Sequence, residues 1–352
     1  MFRHQIGVVA FILTAFAVTG CGGESKTPQT PRGAAGQNSF SSSARFAAPF
    51  GTIVPDRIAI IVMENHNFDE IVGRTGANGL TLLAPYLTQL AQNDRLATLA
   101  FGVSQPSLPN YLSLLSGDSF GIHDDNASCY AVPAITPCDS FDKSNLVDSL
   151  EAAGISWAGY FQSMPHAGFM GNRYPTRGDG LYRQKHNPFP YFKDIATNPK
   201  RVAKMKTFVQ LFNDINNFSM PRFSFIVPDE CHDMHGSVPF CPAPGLIQAG
   251  DSEVQQLVQA MLQSGFFTQR SLIFITFDEG DFSNMGCCDS PPQLGGGHIP
   301  MIIVAGVPGA ITSAVPYNQY SILSTIETLW NLPKLGYTSD TANVKPMLDL
   351  VP

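Results

Sequence analysis

The sequence contains no block of lysine and arginine. Its 21 basic residues are outnumbered by 28 acidic ones, for a formal net charge of −7, so the electrostatic footprint of a nucleic-acid binder is missing. Charge of either sign is scarce. Asp, Glu, Lys and Arg make up 14% of the chain, too few for a disordered polymer, while the 44% of hydrophobic residues allow a sizeable core. The acidity leaves the substrate open, because a site can be locally positive inside an acidic protein, above all with a metal bound. Paired C-x-x-C spacing is lacking as well, which weakens a thiolate metal site as the reading of the cysteines. No internal repeat and no second linker interrupt the 352 residues, a length that suits one large or two ordinary domains. After the first twenty residues no segment is long and apolar enough to span a bilayer.

What is present begins at the N-terminus. Arg3 and His4 precede a short apolar run from Ile6 to Val18, which ends in Thr19-Gly20-Cys21. A basic start, a short apolar stretch and small residues at the cut are the marks of a secretory signal. Val18-Thr19-Gly20-Cys21 also resembles a bacterial lipobox, which would make Cys21 the lipidated first residue of an exported, membrane-anchored chain. An ordinary signal peptide that happens to contain a cysteine, giving a secreted protein, is the alternative. Residues 1–20 then form the signal, 21–50 a tether rich in Ser, Gly, Ala, Thr and Pro, and 51–352 one domain. Six further cysteines, an even number in an exported chain, suggest disulfides. Cys129–Cys138 and Cys231–Cys241 are plausible local loops, and Cys287 and Cys288 either bridge each other or join other loops.

Short apolar runs alternate with stretches of helical spacing. Strands are expected at Arg57–Met63, 96–103, 155–161, Phe223–Val227, 272–277 and 300–305. Helices are expected around Leu82–Ala91, over 109–116 with Gly117 as its stop, from Val202 to Ile215, from a cap at Asp251 or Ser252 to Gly265, and around Ile322–Trp330. This alternation predicts an α/β fold, with a mostly parallel central sheet and helices on both faces.

In open α/β sheets ligands bind beyond the carboxyl ends of the strands. Four of the apolar runs are followed there by Glu64-Asn65-His66-Asn67-Phe68-Asp69, by Ser104 through Tyr111, by Pro228 through Gly236, and by Asp278-Glu279-Gly280-Asp281; Gly295-Gly296-Gly297-His298 precedes the strand at residue 300. One carboxylate after a strand is an ordinary helix cap. Several acidic or histidine-bearing strand ends in one chain are harder to explain that way, and oxygen-rich Asp, Glu, Asn and His suit a divalent cation. Ser107 stands at the start of the helix over 109–116, where unpaired backbone N–H groups and the helix dipole favour a phosphate. A metal beside it would lower the hydroxyl's pKa and make a nucleophile. Asn110, one turn on, is placed to donate to a phosphoryl oxygen.

Glu64-Asn65-His66-Asn67-Phe68-Asp69 resembles the Glu-Asn-x-Ser-Phe-Asp signature of the bacterial phosphoesterase family, which includes acid phosphatases and phosphatidylcholine-cleaving phospholipases C. Pro106-Ser107-Leu108-Pro109-Asn110-Tyr111, followed by Leu115-Ser116-Gly117, is similar to that family's nucleophile segment and to the corresponding block of nucleotide pyrophosphatases in the wider alkaline-phosphatase superfamily. Pro228-Asp229 through His235 and Phe277 through Gly280 are also family-like, and the likeness extends over residues 58–305.

The resemblance implies an alkaline-phosphatase-like fold and these roles. Ser107 would be the nucleophile and a metal-facing oxygen. Glu64, Asn65, Asp278 and Glu279 would hold a divalent metal beside it: zinc, magnesium, manganese or calcium, one ion or two. Asn110 would orient the phosphoryl group. Asp229, His232, Asp233, His235 and His298 would form the opposite side, either binding a second metal or contacting phosphate and protonating the leaving oxygen. Asn65 and Glu279 depart from the two-zinc pattern, which leaves metal number and identity open.

The substrate would be a phosphorylated small molecule or a phospholipid head group, with no nucleic-acid partner. The activity implied is that of a phosphomonoesterase working through a phosphoserine. A phospholipase C or other phosphodiesterase is the alternative, and a surface-binding lipoprotein that has lost turnover is the rival from another class. The segment 163–192, with His166, Arg173, Tyr174, Arg177, Tyr182, Arg183 and His186, reads as a long loop over the site, its charges solvated or, as the alternative, its arginines gripping a phosphorylated head group.

Overall fold

A computed structural model describes residues 54–352 except 78, 80, 127–141, 266 and 281–294. The described residues lie in one compact unit, Ala47–Pro352. The expected signal and tether through residue 50, Asp281 and the cysteines at 21, 129, 138, 287 and 288 fall outside the described residues.

The strands are β1 (Arg57–Met63), β2 (Arg95–Ala97), β3 (Trp157–Phe161), β4 (Arg173–Tyr174), β5 (Tyr182–Arg183), β6 (Met205–Thr207), β7 (Phe223–Val227), β8 (Ser271–Phe277), β9 (Met301–Ala305) and β10 (Ile311–Ser313). Among the described residues, eight of them form one sheet in the order β10-β2-β9-β8-β1-β7-β3-β6. β9 alone of these runs against its neighbours. The α/β expectation and the mostly parallel sheet are therefore what the chain adopts. All of β8, and β1 from Ile58 onward, are buried. Side chains alternate between the two faces of a strand, so both faces are covered.

The longer helices are α1 (Pro85–Asn93), α2 (Ser107–Ser116), α3 (Leu146–Ala152), α4 (Phe208–Asn216), α5 (Leu246–Gln263) and α6 (Gln319–Leu329). They pack as two groups, α1 and α4 against α5, and α3 and α6 against α2. Gly117 ends α2 at φ 72°. A Cβ there would lie 2.3 Å from the Leu335 carbonyl oxygen, so both the left-handed backbone and the close approach call for glycine.

Several expected boundaries shift by a few residues, and three elements differ in kind or in capping. The apolar run 96–103 is a sheet strand only as far as Ala97; beyond it Ala100 and Phe101 make isolated bridges to Tyr317 and His298. The helix expected from Val202 to Ile215 is broken, because Met205–Thr207 adds to the sheet edge beside β3. Thr207 then caps α4, its hydroxyl accepting from Gln210 N. Helix α5 starts at Leu246, five residues ahead of the expected cap. Asp251 caps a different helix instead: its carboxylate accepts from Tyr86 N and Leu87 N at 3.0 and 2.8 Å. The first turn of α1, opened by Ala84 and Pro85 without a side-chain cap of its own, thereby finds a partner.

Candidate active site

Sheet register explains why the site assembles. Met63 and Phe277 are the last paired residues of β1 and β8, so Glu64-Asn65 and Asp278-Glu279 emerge side by side. Asp278 N donates to the Met63 carbonyl at 3.0 Å, and Asn65 N donates to Asp278 Oδ1 at 3.1 Å. On the other flank β7 pairs with β1, and the loop after β7 returns the Asp233 carbonyl to Glu64 N at 2.8 Å. Glu64, Glu230, Asp233, Asp278 and Glu279 are all buried.

Ser107 is the first residue of α2 and is buried. Its Oγ lies 3.2 Å from Glu64 Oε2 and 3.3 Å from Lys185 Nζ. Pro106 supplies no side-chain cap, so the positive end of a ten-residue helix faces this oxygen. Lys185 Nζ also donates to Asp125 Oδ2 at 3.0 Å, and Asp125 Oδ1 accepts from Leu108 N. Tyr111, one turn after Ser107, donates its hydroxyl to Glu64 Oε1. Hydroxyl, ammonium and carboxylate are thus locked to one helix start.

The electrostatics follow from so much buried acid. Burial first, then Glu64, holds Asp278 well above the ordinary carboxyl range; burial, then Glu230 and Glu64, does the same for Asp233. Burial, with Asp278 and Glu64, pushes Glu279 up to about 10. Burial also raises Glu64, against the pull of Lys185. Burial works to lower the Lys185 ammonium, but Glu64 and Asp125 outweigh it and raise it. His186 is driven well below its ordinary value by burial and by Lys185. For His235, burial is outweighed by Glu230 and Glu64, which lift the imidazole to about 9.

The acidic cluster has the composition of a cation site. The Asn65 side-chain amide lies about 3.2 Å from both Glu64 Oε2 and Asp278 Oδ1, where its nitrogen donates to the two carboxylates. Glu279 Oε2 is buried without a hydrogen-bond partner. A second group, His186, Glu230 and Asp233, brings ligand atoms within 4.8 Å of one another. His186 Nε2 is 3.2 Å from Glu64 Oε2, Nδ1 is 3.2 Å from Glu230 Oε1, and His235 Nδ1 is 3.0 Å from Glu230 Oε2. These are charge contacts rather than well-aligned hydrogen bonds, for His186 Nε2 and both Glu230 oxygens make none. Imidazole and carboxylate donors gathered this closely suit a divalent ion.

Of the expected site residues, Glu64, Asn65, Ser107, Asp233, His235, Asp278 and Glu279 are brought together. Asn110 is not free to meet a phosphoryl oxygen. Its Oδ1 accepts from Val103 N and Ser104 N at 3.0 and 2.9 Å, and its Nδ2 donates to the Ser104 and Pro106 carbonyls. The amide's hydrogen-bonding capacity is taken up by the loop, so it holds the turn that presents Ser107. His298 is also turned away. Its ring stacks on Phe68 at 4.7 Å, tilts against Phe101, and presents Nε2 to the Thr98 carbonyl at 3.0 Å. Asp229 and His232 form a rim pair: the carboxylate meets His232 Nδ1 at 2.6 Å and accepts from Ser163 Oγ at 2.5 Å, with the imidazole 40% exposed.

Lys185, His186, Glu230, Tyr111 and Asp125 were not among the expected site residues. Segment 163–192 contains the β4–β5 hairpin and two 3-10 turns. Arg173 and Arg177 are exposed, as solvated loop charges, but Lys185 and His186 are buried. Tyr111 carried one usable signal, its i+4 spacing from Ser107 on a helix. Of the cysteine loops, Cys231–Cys241 is a disulfide, with Cα atoms 5.6 Å apart.

The phosphoesterase family model matches residues 81–333, well over half the chain. The chain belongs to the phosphoesterase family. Among its relatives, a phosphate-repressible acid phosphatase of Penicillium chrysogenum is 31% identical over 83% of this chain and 63% of its own length. A phosphatidylinositol-3-phosphatase of Mycobacterium tuberculosis is 27% identical over 83% of this chain and 82% of its own. The chain spans about six-tenths of the length of the first fungal acid phosphatases it matches. A solved Bacteroides thetaiotaomicron structure from glycosaminoglycan metabolism superposes with a TM-score of 0.53 at 14% identity, covering 85% of this chain and 82% of that one, which shows a shared fold. The phosphoesterase match includes Ser107, Lys185, His186, Glu230 and Asp278, and stops short of Glu64.

Proposed function

We propose that this phosphoesterase is a metal-assisted phosphoric ester hydrolase, a phosphomonoesterase of the acid-phosphatase kind. One observation carries the reading: the Ser107 hydroxyl sits at a helix start with a carboxylate oxygen at 3.2 Å and an ammonium at 3.3 Å. The carboxylate accepts the hydroxyl proton as the oxygen attacks phosphorus. Lys185 and the helix dipole meet the negative charge on the transferring group. The P–O bond to the leaving alcohol breaks as the Ser107 Oγ–P bond forms, and water then releases phosphate from the serine. Glu64, Asn65, Ser107, Asp278 and Glu279 would hold a divalent cation, which when bound neutralises phosphoryl oxygens and lowers the hydroxyl's pKa. His235, paired with Glu230 and raised to about 9, is an imidazole placed in this cluster to protonate the leaving oxygen. The acid-phosphatase names among the relatives support this choice over a phosphodiesterase.

The test is Ser107→Ala assayed with p-nitrophenyl phosphate, with and without chelator. Turnover should fall by several orders of magnitude while the fold survives. Intact protein quenched during turnover should carry phosphate on Ser107 in the wild type. Wild-type rates in Ser107→Ala would exclude the serine route.

We also propose export with Cys21 as a lipidated first residue. The lipobox-like Val18-Thr19-Gly20-Cys21 supports it, as does the Cys231–Cys241 disulfide, which suits an oxidising compartment. Mass spectrometry of the mature N-terminus decides it: an unmodified start at another residue is incompatible with this reading.

A further inference from the structure

A cleft of about 460 Å³ opens beside the acidic cluster. Asn65 and His235 belong to both, so the cleft lies against the cluster where a phosphoryl group would sit. Its floor is the buried side chain of Met234, and its walls include Leu83, Pro244, Leu246 and Ile247. Among the described residues that line it, none is Lys, Arg, Asp or Glu. The cleft is built into the scaffold at two points. Leu246 and Ile247 open helix α5, and the loop leading to them is tied back by the Cys231–Cys241 disulfide.

A volume of this size is typical of small-ligand sites, which are mostly apolar with a few convergent polar groups. What enters is selected by the lining. Apart from the imidazoles of His66 and His235, the described lining carries no ionisable side chain. An aliphatic chain loses only its contact with water.

We infer that this cleft is the leaving-group subsite, and that it takes the alkyl chain of a phosphomonoester. The inference rests on the phosphomonoesterase reading above and narrows it to a substrate class. Asn65 and His235 stand at the junction of phosphate and chain, and Leu83, Leu246 and Ile247 contact the chain beyond it.

Binding rather than turnover tests the cleft. Methyl-, butyl- and octylphosphonate, which cannot be hydrolysed, are titrated calorimetrically into the full chain supplied with divalent metal. Affinity should rise about threefold to fourfold for each methylene that becomes buried, and then level off once the cleft is filled. Leu246→Asp places an acid at a helix start, where it is tolerated, and should flatten the series; Leu83→Asn is a second variant should the first fold poorly. Val209→Asp, on the exposed face of α4 with Val209 73% exposed, should leave the series as in the wild type. Equal affinity for the three phosphonates in the wild type overturns the subsite, as does an unchanged slope in both lining variants. Hydrolysis of p-nitrophenyl phosphate is measured alongside. Its absence with a rising phosphonate series would defeat the catalytic reading and leave the subsite standing, whereas its presence with a flat series would do the reverse.

Discussion

Replacing Lys185 by methionine should cost this phosphoesterase about a hundredfold to a thousandfold in kcat/KM. The substitution keeps an unbranched apolar stem of similar length and deletes one ammonium group. That group lies 3.3 Å from Ser107 Oγ and 3.0 Å from Asp125 Oδ2, and the side chain is only 7% exposed. A buried donor aimed at developing charge is worth about 3–4 kcal/mol in the transition state, and each ~1.4 kcal/mol is a factor of ten. Stability falls too, because breaking a buried ion pair costs about 3–5 kcal/mol when the partner is left charged. Here the cost is smaller. Asp125 is 28% exposed and can turn to water, and the Glu64 carboxyl, already raised by burial, can take up a proton. Lys185→Arg should not restore the rate, since a planar guanidinium presents its donors as a fork in a space shaped around one point charge. Initial rates with p-nitrophenyl phosphate, paired with thermal melts by circular dichroism, separate the two effects. A folded Lys185→Met protein with wild-type kcat/KM would refute the assignment of this ammonium to the phosphoryl charge.

Asp278→Asn should lower bound divalent metal, read by plasma mass spectrometry, and activity in parallel; full activity in metal-free protein would sink the metal role. Glu327, far along α6, should make stability depend on pH. Its carboxyl is buried, which raises it from 4.5 to about 7 against the opposing pull of Thr338 and Lys334. The folded state therefore holds a proton that the unfolded state gives up between those values. The stabilisation present below pH 4.5 is lost as pH rises through 7, by roughly 3 kcal/mol at most. Glu327→Gln cannot ionise, so its stability relative to wild type should climb from pH 4.5 to 7.5 in denaturant titrations; parallel pH profiles would contradict this.

Much of the scaffold was legible because its signals are local. Continuous apolar runs such as Arg57–Met63 are what a strand covered on both faces requires, and Gly117 marks a helix end because a left-handed residue is needed there. Residues directly after paired strands were legible for the same reason. Once β1 and β8 pair in parallel, Glu64 and Asp278 must emerge together. The broken helix before α4 was not legible. The spacing from Val202 to Ile215 satisfies a helix, and only the open edge of β3 draws Met205–Thr207 into the sheet.

The chain by itself determined the fold class, the helix start at Ser107 and the acidic strand ends, since propensity, period and turn chemistry act over a few residues. Tertiary structure decided which polar groups share one dry space. Lys185 lies 78 residues from Ser107 in a segment that reads as a solvated loop, and nothing local marks it for burial. Asn110 and His298 show the converse. They are chemically fit for catalysis, but neighbouring carbonyls and aromatic rings had the stronger claim on them. Burial makes this difference physically, because a charge removed from water must find its partner across the fold rather than along the chain.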